Sequence, residues 1–411
     1  MRILVEPSDY VLRNVGDMAM LHVASTRLGA LSPDASIEIF SDEPEKLSTY
    51  CPNSQPLASA GRRAWNAVRL LDGLPVESAR AERLLRHRAP RLALRILERR
   101  GRLDATLREF VGTVSQADLL VVAGMGGITD AFPEYAHGLL DTIELAQSYR
   151  VPTVMVGQGL GPLGDPHLWD RSRKILSKLD FISLREGASG LPMLRSFGVP
   201  RDRIVVTGDD AIEIAHRARA DSLGSGIGVN LRASDYSGIA VDSLAAFRSV
   251  LHETARKLDA SLVSVPISAV PGEEDADTIR TLIDGYDDSI ASGNPRSWTD
   301  VFDQLRGCRI VVTGSYHAGV FALAQGIPTV CIASSQYYVD KFVGLADQFG
   351  TGCAVIQASP GEPLEAGLSD AIVHHWNMAD EMRPLLLQRA KSQIDLGLAA
   401  YARIPGLARK R

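Results

Sequence analysis

The sequence contains no apolar run near the roughly 18 residues that a membrane-spanning helix requires. Its 411 residues include only four cysteines, which lack the paired spacing of a metal motif: Cys51, Cys308, Cys331 and Cys353. Internal repeats and low-complexity tracts are absent as well. We therefore expect a globular protein with buried thiols and no metal site.

An excess of positive charge is also missing, because the formal net charge is −5. This balance argues against general nucleic-acid binding. The stretch Met1–Pro7 is too short and turns acidic too soon for a signal peptide, so it predicts a first strand instead. Together with a hydrophobic content of 45%, these features predict a globular protein of the cytoplasm.

Short β-rich runs alternate with helical patterns on both sides of a small-residue stretch, 220–226, which we interpret as a linker. The predicted strands are Arg2–Val5, Ser36–Ser41, Leu119–Gly124, Thr153–Gly157, Phe181–Leu184, Ile204–Thr207, Ile227–Leu231, Ser261–Pro266, Ile310–Thr313, Thr329–Ala333 and Cys353–Ile356. The alternation predicts an α/β fold of two Rossmann-like parallel-sheet domains, 1–219 and 220–375, that face a cleft. A helix within 376–411 is expected to pack back on the first domain.

Segment 61–109 carries thirteen arginines among apolar residues at helical spacing. One interpretation is a basic amphipathic surface that makes peripheral contact with anionic lipid or a lipid-linked acceptor. The other is a set of solvated helices whose apolar stripe faces the domain. We favour the second because no aromatic belt accompanies the arginines.

A single histidine stands out in residues 310–332, which predict a buried strand, a polar turn, a short helix and a second buried strand. His317 lies in that turn, where open α/β sheets place their chemistry. Its imidazole can move a proton near pH 7, and the turn amides can hold an anion. The alternative is a turn histidine with only local hydrogen bonds.

Glycine-rich turns are predicted at three other strand ends of the first domain. Asn14, Gly16 and Asp17 follow the first strand, and Asp17 either caps the next helix or orients a ligand. The remaining candidates follow two neighbouring strands and would form the floor of one cleft: Gly124, Gly126, Gly127, Gln158 and Gly159.

Arginines occupy the same position at two further strand ends. Arg185 follows 181–184, and Arg232 follows the first strand of the second domain. Arginine suits a bidentate grip on carboxylate or phosphate, although an ion pair with Glu186 or Asp235 would also explain each residue. Together with His317, the two arginines favour a small anionic substrate.

These elements resemble the polysaccharide pyruvyl transferases over most of the chain. The matching motifs are Asn14-x-Gly16-Asp17, Gly124–Gly127, Arg185-Glu186-x-x-Ser189, Thr207-Gly208-Asp209, Pro266 with Asp275, Lys341-Phe342-x-Gly344-Leu345, and His317 with Gly326-Ile327-Pro328. The resemblance implies a GT-B-like fold, with the acceptor on the first domain and the donor on the second. It also implies transfer of pyruvate from phosphoenolpyruvate, a co-substrate, to a sugar-containing acceptor as a ketal, without a cofactor or metal.

The chain departs from the family at Ser315, where an arginine two residues before the histidine is common. The resemblance then implies that Arg185, Arg232 or Lys341 supplies the positive charge for the donor. His317 would be the general acid, and Asp17 or Glu134 would assist removal of the hydroxyl proton. The sequence does not choose between Asp17 and Glu134 for this role.

Two rival functions remain. One is a GT-B glycosyltransferase that uses a nucleotide sugar, but such enzymes often carry a ribose-binding glutamate on the helix after the histidine. Here 318–325 holds no acidic residue. The other is a catalytically silent binding protein, which Ser315 favours and His317, Arg185 and Arg232 disfavour.

Overall fold

The computed structural model describes residues 1–68, 70, 85–87, 89–232, 244–272, 274–358 and 365–409. The first domain is built on an eight-stranded sheet whose paired strands are all parallel. Its strands are β1 (Arg2–Glu6), β2 (Ser36–Phe40), β3 (Ser54–Leu57), β4 (Leu119–Val122), β5 (Met125–Ile128), β6 (Thr153–Leu160), β7 (Phe181–Leu184) and β8 (Ile204–Val206). They follow the order β3-β2-β1-β4-β6-β7-β8, and β5 pairs with β6.

The second domain has a six-stranded parallel sheet in the order β11-β10-β9-β12-β13-β14. Its strands are β9 (Gly226–Asn230), β10 (Ser261–Ser264), β11 (Ser289–Ile290), β12 (Cys308–Thr313), β13 (Thr329–Ala333) and β14 (Cys353–Gln357). The central strands are rich in buried Val and Ile, as expected for sheets that helices cover on both faces.

Helices connect the strands in both domains. In the first domain they are α1 (Val15–Leu31), α2 (Pro44–Tyr50), α3 (Ala60–Ala67), α4 (Pro90–Arg99), α5 (Ala105–Gln116), α6 (Pro133–Ser148), α7 (Pro166–Leu176), α8 (Gly190–Ser196) and α9 (Ile212–Arg217). In the second they are α10 (Leu244–Leu258), α11 (Asp275–Ile283), α12 (Trp298–Leu305), α13 (Tyr316–Ala324), α14 (Gln336–Phe349) and α15 (Glu365–Tyr401).

The strand order reverses once in each sheet, between β1 and β4 and between β9 and β12. Connections on the two sides of such a point diverge and leave a crevice at the carboxyl ends of the strands. The loop after β1 and the turn after β12 therefore lie at crevices. The predicted fold class, two Rossmann-like sheets facing a cleft, is confirmed.

The last helix brings the chain back to the first domain. Near its end, the Tyr401 hydroxyl donates a 2.7 Å hydrogen bond to Asp210, just before α9. Beyond it, the Arg409 amide donates to the Asp118 carbonyl at 2.8 Å, next to β4. This helix begins at Glu365, earlier than the predicted segment 376–411.

The eleven predicted strands are present, but the prediction of glycine-rich turns is partly wrong. Residues 125–128 form a strand, and β6 continues through 157–160 instead of ending at a turn. Gly157 has a φ of +59°, and the register shifts there, so a glycine bulge lets the strand continue. Strands β3, β5 and β11 were not predicted, since each is short or contains proline or glycine.

The arginine-rich segment lies partly outside the described residues, including Arg69, Arg80, Arg83 and Arg88. Two of its arginines are buried rather than solvated, because Arg62 pairs with Glu6 and Arg86 pairs with Asp141. In the part of the chain that the structure describes, no helix is both long and apolar enough to cross a membrane.

Candidate functional site

A cavity of about 280 Å³ lies between the two domains, at the crevices of both sheets. Its walls come from β5, from the loops after β1, β5, β7, β9 and β12, and from helices α1, α6, α13 and α14. The lining residues are Ser8, Asn14, Asp17, Met125, Gly126, Gly127, Phe132, Tyr135, Arg185, Arg232, Ser315, Tyr316, His317, Tyr337, Tyr338 and Lys341. Polar and aromatic groups dominate, which is typical of a site for a polar small molecule.

His317 packs directly on the backbone of Gly16, across the cleft. A Cβ atom added to Gly16 would lie 2.1 Å from the His317 Cγ, so this position has no room for a side chain. Asn14 begins α1, because its side-chain oxygen accepts hydrogen bonds from the amides of Gly16 and Asp17 at 3.0 and 3.3 Å. Of the two alternatives for Asp17, capping of this helix is therefore wrong, and orienting a ligand stays a prediction.

Backbone hydrogen bonds hold the two crevices together beside this contact. The Val15 amide donates to the Ile267 carbonyl at 3.1 Å, and the Ala269 amide donates to the Arg13 carbonyl at 3.0 Å. These bonds join the loop after β1 to the loop after β10. The start of α1, including Gly16, is thus anchored to the second domain by the backbone.

A buried carboxylate faces the imidazole. His317 Nε2 lies 3.7 Å from Asp209 Oδ2, which has no hydrogen-bond partner among the described residues, while Asp209 Oδ1 accepts a 2.9 Å bond from the Ala211 amide. Burial raises the pKa of Asp209, but His317, Arg185 and the Ala211 amide outweigh it, so the pKa lies below its usual value. The ionised carboxylate of Asp209 therefore faces one ring nitrogen of His317.

Arg185 is a buried cation with spare hydrogen-bonding capacity. Its guanidinium lies 4.2 Å from the Tyr316 ring centre and 3.7 Å from Asp209, and the residue is 2% exposed. Burial lowers its pKa, yet Tyr316 and Asp209 raise it more, so the side chain stays charged. Its Nε and Nη2 atoms have no hydrogen-bond partner in the described structure. Unpaired buried donors of this kind are rare, and they suit a bound anion.

Glycines leave room for this guanidinium. A Cβ on Gly126 would lie 2.6 Å from Arg185 Nη2, and one on Gly159 would lie 2.8 Å from Arg185 Nε. Side chains at either position would displace the arginine. The glycines predicted to contact the ligand therefore also shape the pocket of the cation that would hold it.

Lys341 adds a second cation from α14. Its Nζ atom bonds to the Tyr337 hydroxyl and lies 3.7 Å from the centre of that ring, while Tyr337 donates to the Gly126 carbonyl at 3.2 Å. Burial, together with the charges of Arg185 and Arg232, holds the pKa of Lys341 well below its usual value. An anion in the cavity would relieve this repulsion.

Arg232 is the third cation, and a carboxylate holds it in place. Its Nε atom donates a 2.7 Å bond to Asp275 Oδ1. The other oxygen, Oδ2, accepts from the Asn230 side chain and from the amides of Ile267 and Ser268 at 2.8–3.0 Å. Of the ion-pair partners suggested by the sequence, Glu186 instead bonds Ser189, and Asp235 lies outside the described residues.

The structure brings most of the predicted site residues to this cavity: Asn14, Asp17, Gly126, Gly127, Arg185, Arg232, Ser315, His317 and Lys341. Gly16 and Gly159 support His317 and Arg185, and Gly124 packs on Met20. Gln158 does not line the cavity. Since β6 continues through this residue, its amide nitrogen donates to the carbonyls of Ala123 and Val156, both at 2.7 Å, inside the sheet.

Sequence reasoning missed several residues that shape the site: Asp209, Tyr316, Tyr337, Tyr338, Phe132 and Tyr135. Asp209 belongs to the motif Thr207-Gly208-Asp209, whose local pattern alone indicates no role for it. Tyr337 and Tyr338 precede Lys341 by about one helical turn, so helical spacing could have placed them beside it. Only the tertiary structure brings Phe132 and Tyr135 to the same cavity.

The arrangement combines three cations, one histidine and aromatic walls. Within the described ranges, no group of three or more His, Cys, Asp or Glu side chains is placed to hold a metal ion. The cations can bind a ligand with two anionic groups, and His317 can transfer a proton to it.

Solved structures define the class of fold. A putative UDP-N-acetylglucosamine 2-epimerase from Listeria monocytogenes matches with a TM-score of 0.57 at 12% identity, covering 95% of this chain and 94% of that one. A UDP-GlcNAc 2-epimerase from Neisseria meningitidis has a TM-score of 0.56 at 11% identity, covering 99% and 98%. A glycosyltransferase from Rickettsia africae has a TM-score of 0.53 at 12% identity, covering 97% of this chain and 96% of that one. The architecture is that of the GT-B glycosyltransferases and related epimerases.

A family model then identifies the branch of this class. The model for polysaccharide pyruvyl transferase matches residues 14–336, which include every cavity-lining residue except Ser8, Tyr337, Tyr338 and Lys341. The chain belongs to the polysaccharide pyruvyl transferase family, a family of transferases. No curated protein matches the sequence.

Proposed function

We propose that this protein transfers the pyruvate unit of phosphoenolpyruvate to two hydroxyls of a sugar-containing acceptor, forming a ketal. The observation that carries the proposal is the buried Arg185 guanidinium, which lines the same cavity as His317. Its Nε and Nη2 atoms have no hydrogen-bond partner among the described residues. Lys341 and Arg232 line the same cavity. Phosphoenolpyruvate carries a carboxylate and a phosphate, so its charges complement this cluster of cations.

Ser315 stands where the family commonly has an arginine. Phosphoenolpyruvate can still be the donor when Arg232 supplies the missing positive charge. Ser315 is held by a 2.8 Å hydrogen bond from its amide to the Thr313 hydroxyl, and it brings no cation to the cavity. Arg232 lies in the same cavity, fixed by Asp275. Arg232 with Arg185 and Lys341 therefore provides two anion-binding groups and a third to stabilise the departing phosphate.

In the proposed reaction, protonated His317 gives its proton to the methylene carbon of phosphoenolpyruvate, which leaves the central carbon electron-poor. A first sugar hydroxyl loses its proton to a base and bonds to that carbon. The carbon–oxygen bond to phosphate then breaks, with its electron pair leaving on phosphate, as a second hydroxyl bonds to the same carbon. The proton of the second hydroxyl returns to His317, so the products are the ketal and inorganic phosphate.

Aromatic residues of the first domain support a sugar as acceptor. Phe132 and Tyr135 line the cavity on the side of α6, and each is partly exposed. Flat aromatic faces bind the apolar face of a pyranose while its hydroxyls stay free to react. The acceptor therefore enters from the first domain, opposite His317.

Binding of the donor is the first test. Titration with phosphoenolpyruvate should raise the melting temperature, because a ligand that binds only the native protein adds about 2.7 kcal/mol at a hundredfold excess over Kd. Arg185→Gln should abolish the shift in melting temperature. Arg280→Gln should keep it, because Arg280 belongs to an exposed ion pair with Asp277. A shift with nucleotide sugars and none with phosphoenolpyruvate would overturn the proposal in favour of glycosyl transfer.

Turnover is the second test, followed as phosphate release from phosphoenolpyruvate with a panel of methyl hexosides. His317→Gln should still bind phosphoenolpyruvate but lose roughly 10²–10⁴-fold in kcat, the usual contribution of a general acid. His374→Gln, on the exposed side of α15, is the matched control. Undiminished turnover in His317→Gln would remove the histidine from the reaction.

A further inference from the structure

Among the described residues that line the cavity, Asp17 is the only carboxylate. It lies in the first turn of α1, on the first-domain wall, whereas His317 is on the second-domain wall. The two side chains therefore reach the same space from opposite sides of the cleft. This is the arrangement that a paired acid and base would need.

The carboxylate of Asp17 has no structural duty in the described part of the chain. Its side chain forms no hydrogen bond or ion pair with a described residue, since Asn14 caps α1 instead. Burial raises its pKa, and the nearby charges of His317, Arg185 and Lys341 only partly offset that effect. A carboxylate with a raised pKa is a stronger base than an exposed aspartate.

Glu134 and Asp209 are less suitable as the base. Glu134, the second candidate from the sequence, is exposed in the first turn of α6 and does not line the cavity. Asp209 does not line it either, and it faces both His317 and Arg185 at 3.7 Å. It lies between the Arg185 guanidinium and the His317 ring, so it is a positioning residue.

We propose that Asp17 is the base that removes the proton of the first acceptor hydroxyl, which rests on the proposed function above. The O–H bond breaks toward a carboxylate oxygen of Asp17 as the hydroxyl oxygen bonds to the central carbon of phosphoenolpyruvate. His317 supplies the proton that the methylene carbon gains. Asp17 then releases its proton to the departing phosphate, so both groups return to their starting states.

If Asp17 is a base, its substitution should not weaken donor binding, whereas loss of a donor-binding group should weaken it. Asp17→Asn removes a negative charge from a cavity that binds an anion, so its affinity for phosphoenolpyruvate should equal or exceed that of the wild type. Its turnover should fall roughly 10²–10⁴-fold, because the hydroxyl no longer has a base. Glu134→Gln removes the same charge outside the cavity and should keep both properties.

The experiment measures the phosphoenolpyruvate-induced melting shift and phosphate release, with a methyl hexoside that supports turnover, for wild type, Asp17→Asn and Glu134→Gln. Retained donor binding with lost turnover in Asp17→Asn supports the assignment. Undiminished turnover, or a lost melting shift, overturns it. A wild-type protein that neither binds phosphoenolpyruvate nor releases phosphate overturns the proposed function and this assignment together.

A second variant covers the case in which asparagine disturbs the fold. Asp17→Ala leaves space where the carboxylate stood, so added formate should restore part of its phosphate release without changing wild-type turnover. Such rescue would not occur if Asp17 only supported the structure. Failure of formate to restore any activity in a folded Asp17→Ala protein that binds phosphoenolpyruvate overturns the assignment.

Discussion

At the scale of single residues, the orientation of His317 depends on a neighbour without a side chain. The imidazole lies where a Cβ of residue 16 would be, and backbone hydrogen bonds between the domains prevent either wall from moving away. The motif glycine is therefore required by packing against the histidine, not by its own backbone conformation.

Gly16→Ala should displace the imidazole and lower kcat by about 10²-fold, the cost of misplacing a reacting group by about 1 Å. Phosphate release with phosphoenolpyruvate and a methyl hexoside measures the effect. Gly112→Ala is the matched control, because a Cβ there meets no atom within 4 Å. It should keep activity and stabilise α5 slightly. Equal activity of the two variants would show that His317 does not need its observed position.

Lys341 predicts a pH dependence of donor binding. Because its pKa is lowered, the ammonium group is present at low pH and is lost as the pH rises through a value below that of an ordinary lysine. Affinity for phosphoenolpyruvate should thus fall with rising pH in the range below about pH 10.4, the pKa of an ordinary lysine, while arginines stay charged throughout.

Binding titrations over this range should give a falling curve for wild type and a flatter, weaker one for Lys341→Met. Lys178→Met changes an exposed lysine and should follow the wild type. A wild-type affinity that does not change with pH would mean that Lys341 keeps its proton throughout or does not contact the donor.

At the scale of elements, α6 connects the cavity to a buried ion cluster. Its first turns carry Tyr135 into the cavity, and Asp141, two turns later, accepts hydrogen bonds from Arg86 and Arg171. His87 lies 3.1 Å from the same carboxylate. Two members of the arginine-rich segment and α7 are thereby fixed to α6.

Asp141→Asn should destabilise the protein by about 3–5 kcal/mol, since it removes a buried negative charge that faces Arg86 and Arg171. Denaturant unfolding measures the loss, and Asp170→Asn, in an exposed pair with Arg173, should change little. A loss no larger than that of Asp170→Asn would contradict the role of the cluster.

The same cluster predicts how stability responds to acid. Burial raises the pKa of Asp141, but His87, Arg171 and Arg86 lower it more, so the net pKa is below that of an ordinary aspartate. Its contribution is present above the unfolded-state pKa and is lost as the pH falls through the folded-state value. Wild type should therefore lose stability in acid more steeply than Asp141→Asn.

At the scale of the whole molecule, α15 crosses from the second domain to the first. The Tyr401 side chain is buried beside α1 and α9, where its hydroxyl bonds Asp210 and its ring lies 4.9 Å from the Arg27 guanidinium. This contact helps to fix the distance between the two walls of the cleft.

Tyr401→Ala should cost about 3–5 kcal/mol, because it removes a large buried ring, whereas Tyr401→Phe should cost only about 1 kcal/mol for the lost hydrogen bond. Leu398→Ala, at an exposed position of the same helix, is the control. The midpoints of denaturant unfolding give the comparison. A Tyr401→Ala protein as stable as Leu398→Ala would show that α15 does not hold the domains together.

The sequence by itself determined the two α/β sheets and the sheet edge at which the site lies. Strand positions follow from apolar runs, and a parallel topology places the residues after each strand at one edge, so Arg185, Arg232 and His317 could be assigned to a cleft. The strand β3 was missed, since Ser54–Leu57 is polar and contains Pro56, and only pairing with β2 makes it a strand.

The tertiary structure alone decided which side chains meet. Asp209 faces His317 from more than a hundred positions away, and Asp275 fixes Arg232 from a separate helix. It also separated Asp17 from Glu134, which the sequence left equal, because only Asp17 reaches the cavity. Local patterns record propensity and burial along one element, whereas these distances depend on how distant elements pack against one another.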